Sequence, residues 1–391
     1  MEALGLREMP ADHPVYQDGA YTIRGVHIHP DGRRSDEQDA STHCTGNLKP
    51  PKEDGMSKDI GIRAIDYVYS TMQIDEKWSV RSDREFTWWG FTLSQCVQAE
   101  PLREILGVPA LLLNARMNLS INVEETDGLY QHLSRINTNA TLGSIAYDSS
   151  SGEVFYHSSV MIHDQIERWM QAIFLHAVAI QAADGIAKSA DFLTELYWPP
   201  PISEHPLNGP REKPDGMLRV LYDTYLPMGV EESPWKELEF EHLRDKYQHH
   251  TAQTTSGEAG LTAEFPYSGS TPAMLISQKG ESLQTALLQI RTDQPHPTML
   301  RGCRMTLTLP IETEDPRLAN ELNLAESRGD SNCHLLGAWC IGPSGLSFAT
   351  FIPNACYLPG LLDILFQRNA MRVHWAKSFI ESRGLNSPRR R

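Results

Sequence analysis

Apolar and polar positions run through this chain in one order, and that order occurs twice. The first passage begins Leu142-Gly143-Ser144-Ile145-Ala146-Tyr147, turns through Asp148-Ser149-Ser150-Ser151-Gly152 and returns as Glu153-Val154-Phe155-Tyr156-His157. Two short alternating or apolar runs around a Gly-containing turn predict a β-hairpin. Ile162, Ile166, Trp169, Ile173, Ala177 and Ile180 then recur at three- and four-residue steps, the period of a helix. The second passage is Leu336-Gly337-Ala338-Trp339-Cys340-Ile341, Gly342-Pro343-Ser344-Gly345 and Leu346-Ser347-Phe348-Ala349-Thr350. Another apolar stripe follows it, through Leu361, Leu365, Met371, Trp375 and Phe379. Leu142-Gly143 falls on Leu336-Gly337, an offset of 194 residues, and Gly152 with Phe155 falls on Gly345 with Phe348. That alignment loses one residue in the turn. The chain reads as an internal duplication, with Trp169 and Trp375 expected on the buried, sheet-facing sides of the two long helices.

Before the first passage, residues 1–56 carry little pattern. Pro, Gly, His and charges dominate, which predicts a flexible leader with one short strand over 21–27. Periodicity starts near Ser57: Ile60, Ala64, Ile65, Val68 and Met72 mark an amphipathic helix. Strands are expected over 78–80, 84–89, 91–99 and 109–119, then a short helix capped by Asp127. The first module thus spans 57–196. Tyr197-Trp198-Pro199-Pro200-Pro201, followed by Pro206, Pro210 and Pro214, can be neither helix nor central strand. Residues 197–216 read as a semi-rigid linker.

The second module, 217–383, reuses the grammar. A helix over 234–249 carries Leu238, Phe240, Leu243 and Tyr247, and strands are expected over 259–265, 273–278, 283–291 and 305–310. Asp315-Pro316 opens a helix, the acid as cap and Pro at the first helical position. A basic tail, 384–391, ends the sequence. The expected architecture is an α+β fold of two tandem α-β-β-β-α-β-β-α modules, antiparallel sheets with helices packed on one face.

Composition narrows the function. A net charge of −15 argues against nonspecific nucleic-acid binding and against anionic membrane surfaces. The first residues, Met1 to Glu8, lack the apolar core of a signal peptide, and the most apolar stretch, 169–183, is too short and amphipathic to span a bilayer. Six Cys without C-x-x-C spacing fit a reduced, cytoplasmic protein.

The module order, the turn Phe86-Thr87-Trp88-Trp89-Gly90 into Leu93-Ser94-Gln95-Cys96-Val97, and the repeated Leu-Gly hairpin before a long helix carry a resemblance. So does the stretch Leu288-Gln289-Ile290-Arg291-Thr292-Asp293-Gln294-Pro295-His296-Pro297. These passages resemble the type III secretion chaperone and YbjN-like superfamily, the TY-Chap group, in its tandem bacterial form. The resemblance covers 57–195 and 217–383 and implies an α/β sandwich that holds partner polypeptides. Secretion chaperones of this fold are small homodimers, whereas this chain carries two unlike copies. An intramolecular pseudo-dimer or a homodimer is therefore implied.

Candidate chemistry is sparse. His27, His29, His43 and Cys44 are zinc-type ligands, but lack the tight turn spacing of structural zinc sites. His249-His250 end a helix, where a cation suits the dipole. Gly342-Pro343-Ser344-Gly345 reads as a hairpin turn and not a nucleophile elbow, and Cys340 as core. No phosphate loop or G-x-G-x-x-G occurs, so no cofactor and no metal are expected. Arg291, Asp293 and His296 form the most notable polar cluster, in a Pro-flanked loop. Trp88 and Trp89, adjacent in a strand, face opposite sides; one is expected in the core and the other free for an interface.

The function expected is therefore non-catalytic: a chaperone-like or adaptor protein holding a protein partner on sheet edges and apolar helix surfaces, the acidic charge favouring a basic one. Its partner-binding residues would be Trp88, Trp89, Arg291, Asp293 and His296. The alternatives are a hydrolase or a small-molecule sensor centred on the 291–297 loop.

Overall fold

The structure is a computed structural model that describes residues 21–23, 26–28, 34–36, 59–105, 108–219, 233–267, 284–299 and 301–384. The expected strand at 273–278, the residues His29, His43 and Cys44, and residues 385–391 of the basic tail lie outside these. Strands β1 (Tyr21–Ile23), β2 (Val26–Ile28) and β3 (Arg34–Asp36) pair antiparallel as a small separate sheet, where one strand was expected.

The first module runs α1 (Ile60–Thr71), β4 (Ser79–Arg81), β5 (Glu85–Trp89), β6 (Ser94–Ala99), β7 (Arg103–Ile105), β8 (Val108–Ser120), α2 (Asp127–Asn137), β9 (Ser144–Asp148), β10 (Glu153–Ile162) and α3 (Glu167–Leu196). The second runs α4 (Glu237–Tyr247), β11 (Gln253–Gly257), β12 (Gly260–Pro266), β13 (Thr285–Arg291), β14 (Gly302–Thr308), α5 (Pro316–Ser327), β15 (Ala338–Gly342), β16 (Gly345–Pro353) and α6 (Leu361–Ser382). The fold is α+β, as expected, with one antiparallel sheet per module. Each module carries more strands before its middle helix than the predicted order allowed. The sheets follow matching paths, β4-β5-β6-β8-β10-β9 and β11-β12-β13-β14-β16-β15, with β7 added at β8.

Local chemistry accounts for the helix starts. Asp59 accepts the Gly61 N–H at 2.7 Å and Asp315 the Arg317 N–H at 2.9 Å, each capping its helix. For α2 the cap is Thr126, whose hydroxyl takes the Leu129 N–H at 3.1 Å; Asp127 occupies the first turn instead. Small residues let α3 lie close on its sheet. A Cβ at Gly185 would sit 2.5 Å from the Met117 sulfur. By length and composition α3 could cross a membrane, but 78% of its most apolar window is buried in the fold. Trp169 and Trp375 are half-buried, not deeply buried as expected. The Trp169 indole leans out to donate to the Pro359 carbonyl at 2.8 Å.

Register matches the two modules to one another and corrects their alignment. Gly143 and Gly337 occupy the same bend before β9 and β15, each with no room for a side chain. A Cβ there would strike Tyr156, His157 and Ser158 in one copy and Phe348, Ala349 and Thr350 in the other. Ile145 pairs with Tyr156 and Trp339 with Phe348. Phe348 therefore matches Tyr156, not Phe155, and the second turn is two residues shorter rather than one.

The modules face one another across β9 and β15, the inner edges of the two sheets. An edge strand leaves backbone N–H and C=O groups unpaired, and here side-chain amides take them. Asn137 brackets Ile145, donating to its carbonyl at 2.8 Å and accepting its N–H at 3.1 Å. Asn323 does the same for Trp339, at 2.9 and 2.8 Å. One helical turn earlier, the contact crosses between modules. Asn320 of α5 brackets Tyr147 of β9 at 2.9 Å on both sides, and Ser134 of α2 accepts the Ile341 N–H of β15 at 2.8 Å.

Thus α2 and α5 pack with the other helices, Leu129 and Leu133 of α2 against Phe192 of α3 and Glu326 of α5 against Arg372 of α6, and each also reaches the opposite module's edge. The loops before the inner strands cross too: Ser159 donates to the Leu335 carbonyl at 3.1 Å and Phe351 to that of Ala140 at 2.8 Å. One apolar core runs through both halves, including Ile173 and Phe174 of α3 with Leu361 and Phe366 of α6.

Asn320→Ala leaves a buried N–H and C=O of Tyr147 unpaired, each costing about 1–3 kcal/mol. A loss of about 2–5 kcal/mol in denaturant melts is expected. A loss under about 1 kcal/mol would mean that water reaches this seam.

Candidate functional site

Both tryptophans of the pair are buried. Trp88 joins Phe86 in the core at 1% exposure, and Trp89, on the reverse face, is 7% exposed. The expectation of a free surface indole is corrected, and the cause is the Pro-rich stretch. Residues 198–218 are no free spacer; they fold back as a strap over Trp89. His205 sets its ring edge-on to Trp89 at 4.9 Å and to Trp78 at 5.8 Å. Arg211 donates to the Trp89 carbonyl at 2.6 Å and lies 5.1 Å over the Trp78 ring. Asp75 and Asp215 pair with that guanidinium at 3.5 and 3.1 Å. Asp215 also gives its N–H to the Gly90 carbonyl at 2.8 Å.

The loop after β13 separates its polar residues. Arg291 and Asp293 form an exposed bidentate pair, with Nε donating to Oδ1 at 2.8 Å. That hydrogen bond to Arg291 lowers the Asp293 pKa. His296 is buried and its ring is fully engaged. Its Nδ1 lies 3.1 Å from the backbone N–H groups of Thr298 and Met299, which can only donate, so Nδ1 is the bare nitrogen. Nε2–H is left to donate to the Asn139 carbonyl at 3.0 Å, with the Thr141 hydroxyl at 3.3 Å. Burial lowers the pKa of His296, outweighing the Asn139 bond, and holds the ring neutral. A histidine with both nitrogens committed has no lone pair for a general base. His296 instead ties the second module to the loop before β9.

Beside this loop lies an open cleft of about 270 Å³, bordered by Thr292, Asp293, Pro295, Arg301 and Asn354. That volume falls below the roughly 300–1,000 Å³ of ordinary ligand pockets. The thiols are no better placed as nucleophiles. Burial pushes Cys340 up to about 12, and burial with Glu85 nearby pushes Cys96 to about 11. Both remain protonated at neutral pH. Among the described residues, no three His, Cys, Asp or Glu side chains gather as metal ligands.

The outer edges of the sheets differ from the sealed inner ones. β4 has three residues, and its side chains are tied back: Ser79 bonds Tyr69 at 2.8 Å and Arg81 pairs with Asp66. β11 is longer, reads Gln253-Thr254-Thr255-Ser256-Gly257, and pairs only with β12 among the described strands. Its residues are exposed or half-exposed. Sequence reading missed it because Thr, Ser and Gly give no apolar alternation. Comparison of the chain with protein-family models, with curated proteins and with solved structures finds no match.

The buried histidines carry a pH prediction. Burial lowers His157, opposite Arg116 in β8, to about 3, and His176 of α3 to about 4. Burial, with Arg368, Arg372 and His163 nearby, also lowers His334, whose Nδ1 accepts the Met161 N–H at 2.9 Å. The unfolded chain protonates each of these near pH 6.5, while the folded chain does not until far lower. Stability should be full above pH 6.5 and fall on acidification toward pH 4, each histidine adding about 1.4 kcal/mol per pH unit. Urea melts at pH 7.5, 6.0 and 5.0 measure this. His157→Phe should flatten the slope by about one such increment, and a slope unchanged in that variant would contradict the assignment.

Proposed function

We propose that this chain is a non-catalytic polypeptide-binding protein, a chaperone-like adaptor of the reduced cytoplasm. It takes an extended segment of a basic partner along β11. The observation that carries the reading is the contrast between edges. Natural sheets guard an open edge with Lys, Pro, bulges or a covering element. β9 and β15 are covered, β4 is very short, and β11 presents five residues with neither Lys nor Pro. An added strand there would gain backbone hydrogen bonds, the source of affinity in strand addition. The net charge of −15 favours a basic segment.

The resemblance to the secretion-chaperone and YbjN-like group supports the same reading, with the two modules acting as a self-contained pseudo-dimer. The hydrolase alternative loses support, since His296 has no nitrogen to spare and Asp293 is engaged with Arg291 on the surface.

Affinity capture with the intact chain and mass spectrometry identifies the partner, whose affinity is then measured in two variants. Successive residues of a strand point their N–H groups to opposite sides. Of Thr254→Pro and Thr255→Pro, one therefore removes an outward N–H and keeps the β12 ladder. That variant should melt within a few degrees of the parent and bind tenfold or more weakly, about 1.4 kcal/mol. Parental affinity in both variants sinks the edge reading. Turnover of a substrate that Asp293→Ala abolishes would replace it with the enzyme.

A further inference from the structure

The strap over Trp89 has a second side. Tyr197, Ile202 and Leu207 are the three most exposed large apolar side chains among the described residues, at 84%, 87% and 89%. All three lie in one eleven-residue stretch, Tyr197-Trp198-Pro199-Pro200-Pro201-Ile202-Ser203-Glu204-His205-Pro206-Leu207. Scattered single apolar residues on a surface need no explanation, but such clustering marks an interaction site.

This stretch is also held in place. The Trp198 ring packs on Phe192 at 5.3 Å and His132 at 5.8 Å, and the Trp198 backbone N–H donates to the Phe192 carbonyl at 3.1 Å. Ile121 donates to the Pro199 carbonyl at 3.0 Å. His205 is anchored by the two indoles, and exchanges backbone hydrogen bonds of 2.9 Å with Gly209. Between these anchors no helix or strand forms over 198–204. Pro199, Pro200 and Pro201 fix their own φ near −65°, and each disfavours the α region for the residue before it. The chain is therefore extended in the polyproline manner, with Pro199 and Pro200 exposed between Tyr197 and Ile202.

Tyr197 itself has φ 58°, a left-handed conformation unusual for a bulky residue. It ends α3 and leaves the ring in solvent.

We infer that residues 197–207 are a docking strip for a protein with an aromatic-lined groove and a basic rim. Preformed polyproline segments suit such grooves because little chain entropy remains to be lost. Here the anchoring to the first module has already removed it. Asp191, Glu195 and Glu204 are exposed beside the strip and supply the acidic complement to a basic rim. The strip is separate from β11, so this inference stands or falls apart from the strand-addition reading.

The test titrates the intact chain into isotope-labelled SH3, WW and EVH1 domains, chosen as purified aromatic-groove probes, and follows their amide shifts. At least one should bind with a dissociation constant of about 100 µM or tighter, with shifts confined to its aromatic groove. Ile202→Ser with Leu207→Ser, both at solvent-exposed side chains, should weaken that binding at least tenfold without changing the melting temperature. Leu238→Ser, at an exposed leucine on α4, serves as the control and should bind as the parent does. Binding by none of the three domains overturns the inference. So does binding that survives the double substitution, or that Leu238→Ser weakens equally.

Discussion

Everything in this molecule depends on how two inner sheet edges are satisfied away from water. A buried backbone N–H or C=O without a partner costs as much as a lost hydrogen bond, so an edge strand enters an interior only if something replaces the missing neighbour. Four positions on two helices do this: Ser134 and Asn137 on α2, Asn320 and Asn323 on α5. In each pair the later residue serves its own module's strand and the earlier one serves the other module's. A primary amide has the donor and acceptor of a peptide group, so an asparagine stands in for a strand residue where a helix crosses an edge. Spaced one helical turn apart, two such residues share a helix face and reach two strands. The single module is therefore incomplete, and the second copy supplies what it lacks.

Outside that seam the copies have diverged. By register, Gln95 of β6 corresponds to Leu288 of β13. Gln95 donates to the Gln181 side chain at 2.6 Å, and Gln181 caps carbonyls of Ala115 and Tyr156 at 3.2 and 2.9 Å. Leu288 is simply core. The second module has its own buried polar knot. Glu326 accepts from Arg372 at 2.8 Å and from the Trp339 indole at 2.9 Å, and the Arg372 guanidinium lies 3.7 Å over the Phe348 ring. Removing either ion of such a pair strands the other, a loss of about 3–5 kcal/mol in comparable cases. Both knots position a long helix against its sheet with polar geometry that admits one register.

What the sequence disclosed follows from range. The hairpins, the long helices, the Asp315-Pro316 start and the Gly143 and Gly337 bends are local in cause, and period or turn chemistry revealed them. The burial of Trp89 is not local. It depends on His205 and Arg211, more than a hundred residues away, and no periodicity links them. His296 is similar: a Pro-flanked histidine beside an aspartate looks like chemistry until Asn139, from the other module, occupies its second nitrogen. Strand β11 was hidden for a different reason. Both of its faces are exposed or half-exposed, so it has no buried face to fill and lacks the apolar alternation by which strands are recognised.

That last point separates scaffold from surface. Residues that set the pseudo-symmetry, the asparagines and the two glycines, are confined within and can tolerate little change. The segments without a counterpart in the other copy are the ones free to specialise. Among the described residues, only the first module has a proline strap against its tryptophans, and only the second has an outer edge strand longer than three residues. A symmetric dimer of one module would present each surface twice. Fusing two unlike copies lets each be presented once, on a frame whose orientation is fixed by the crossed asparagine contacts.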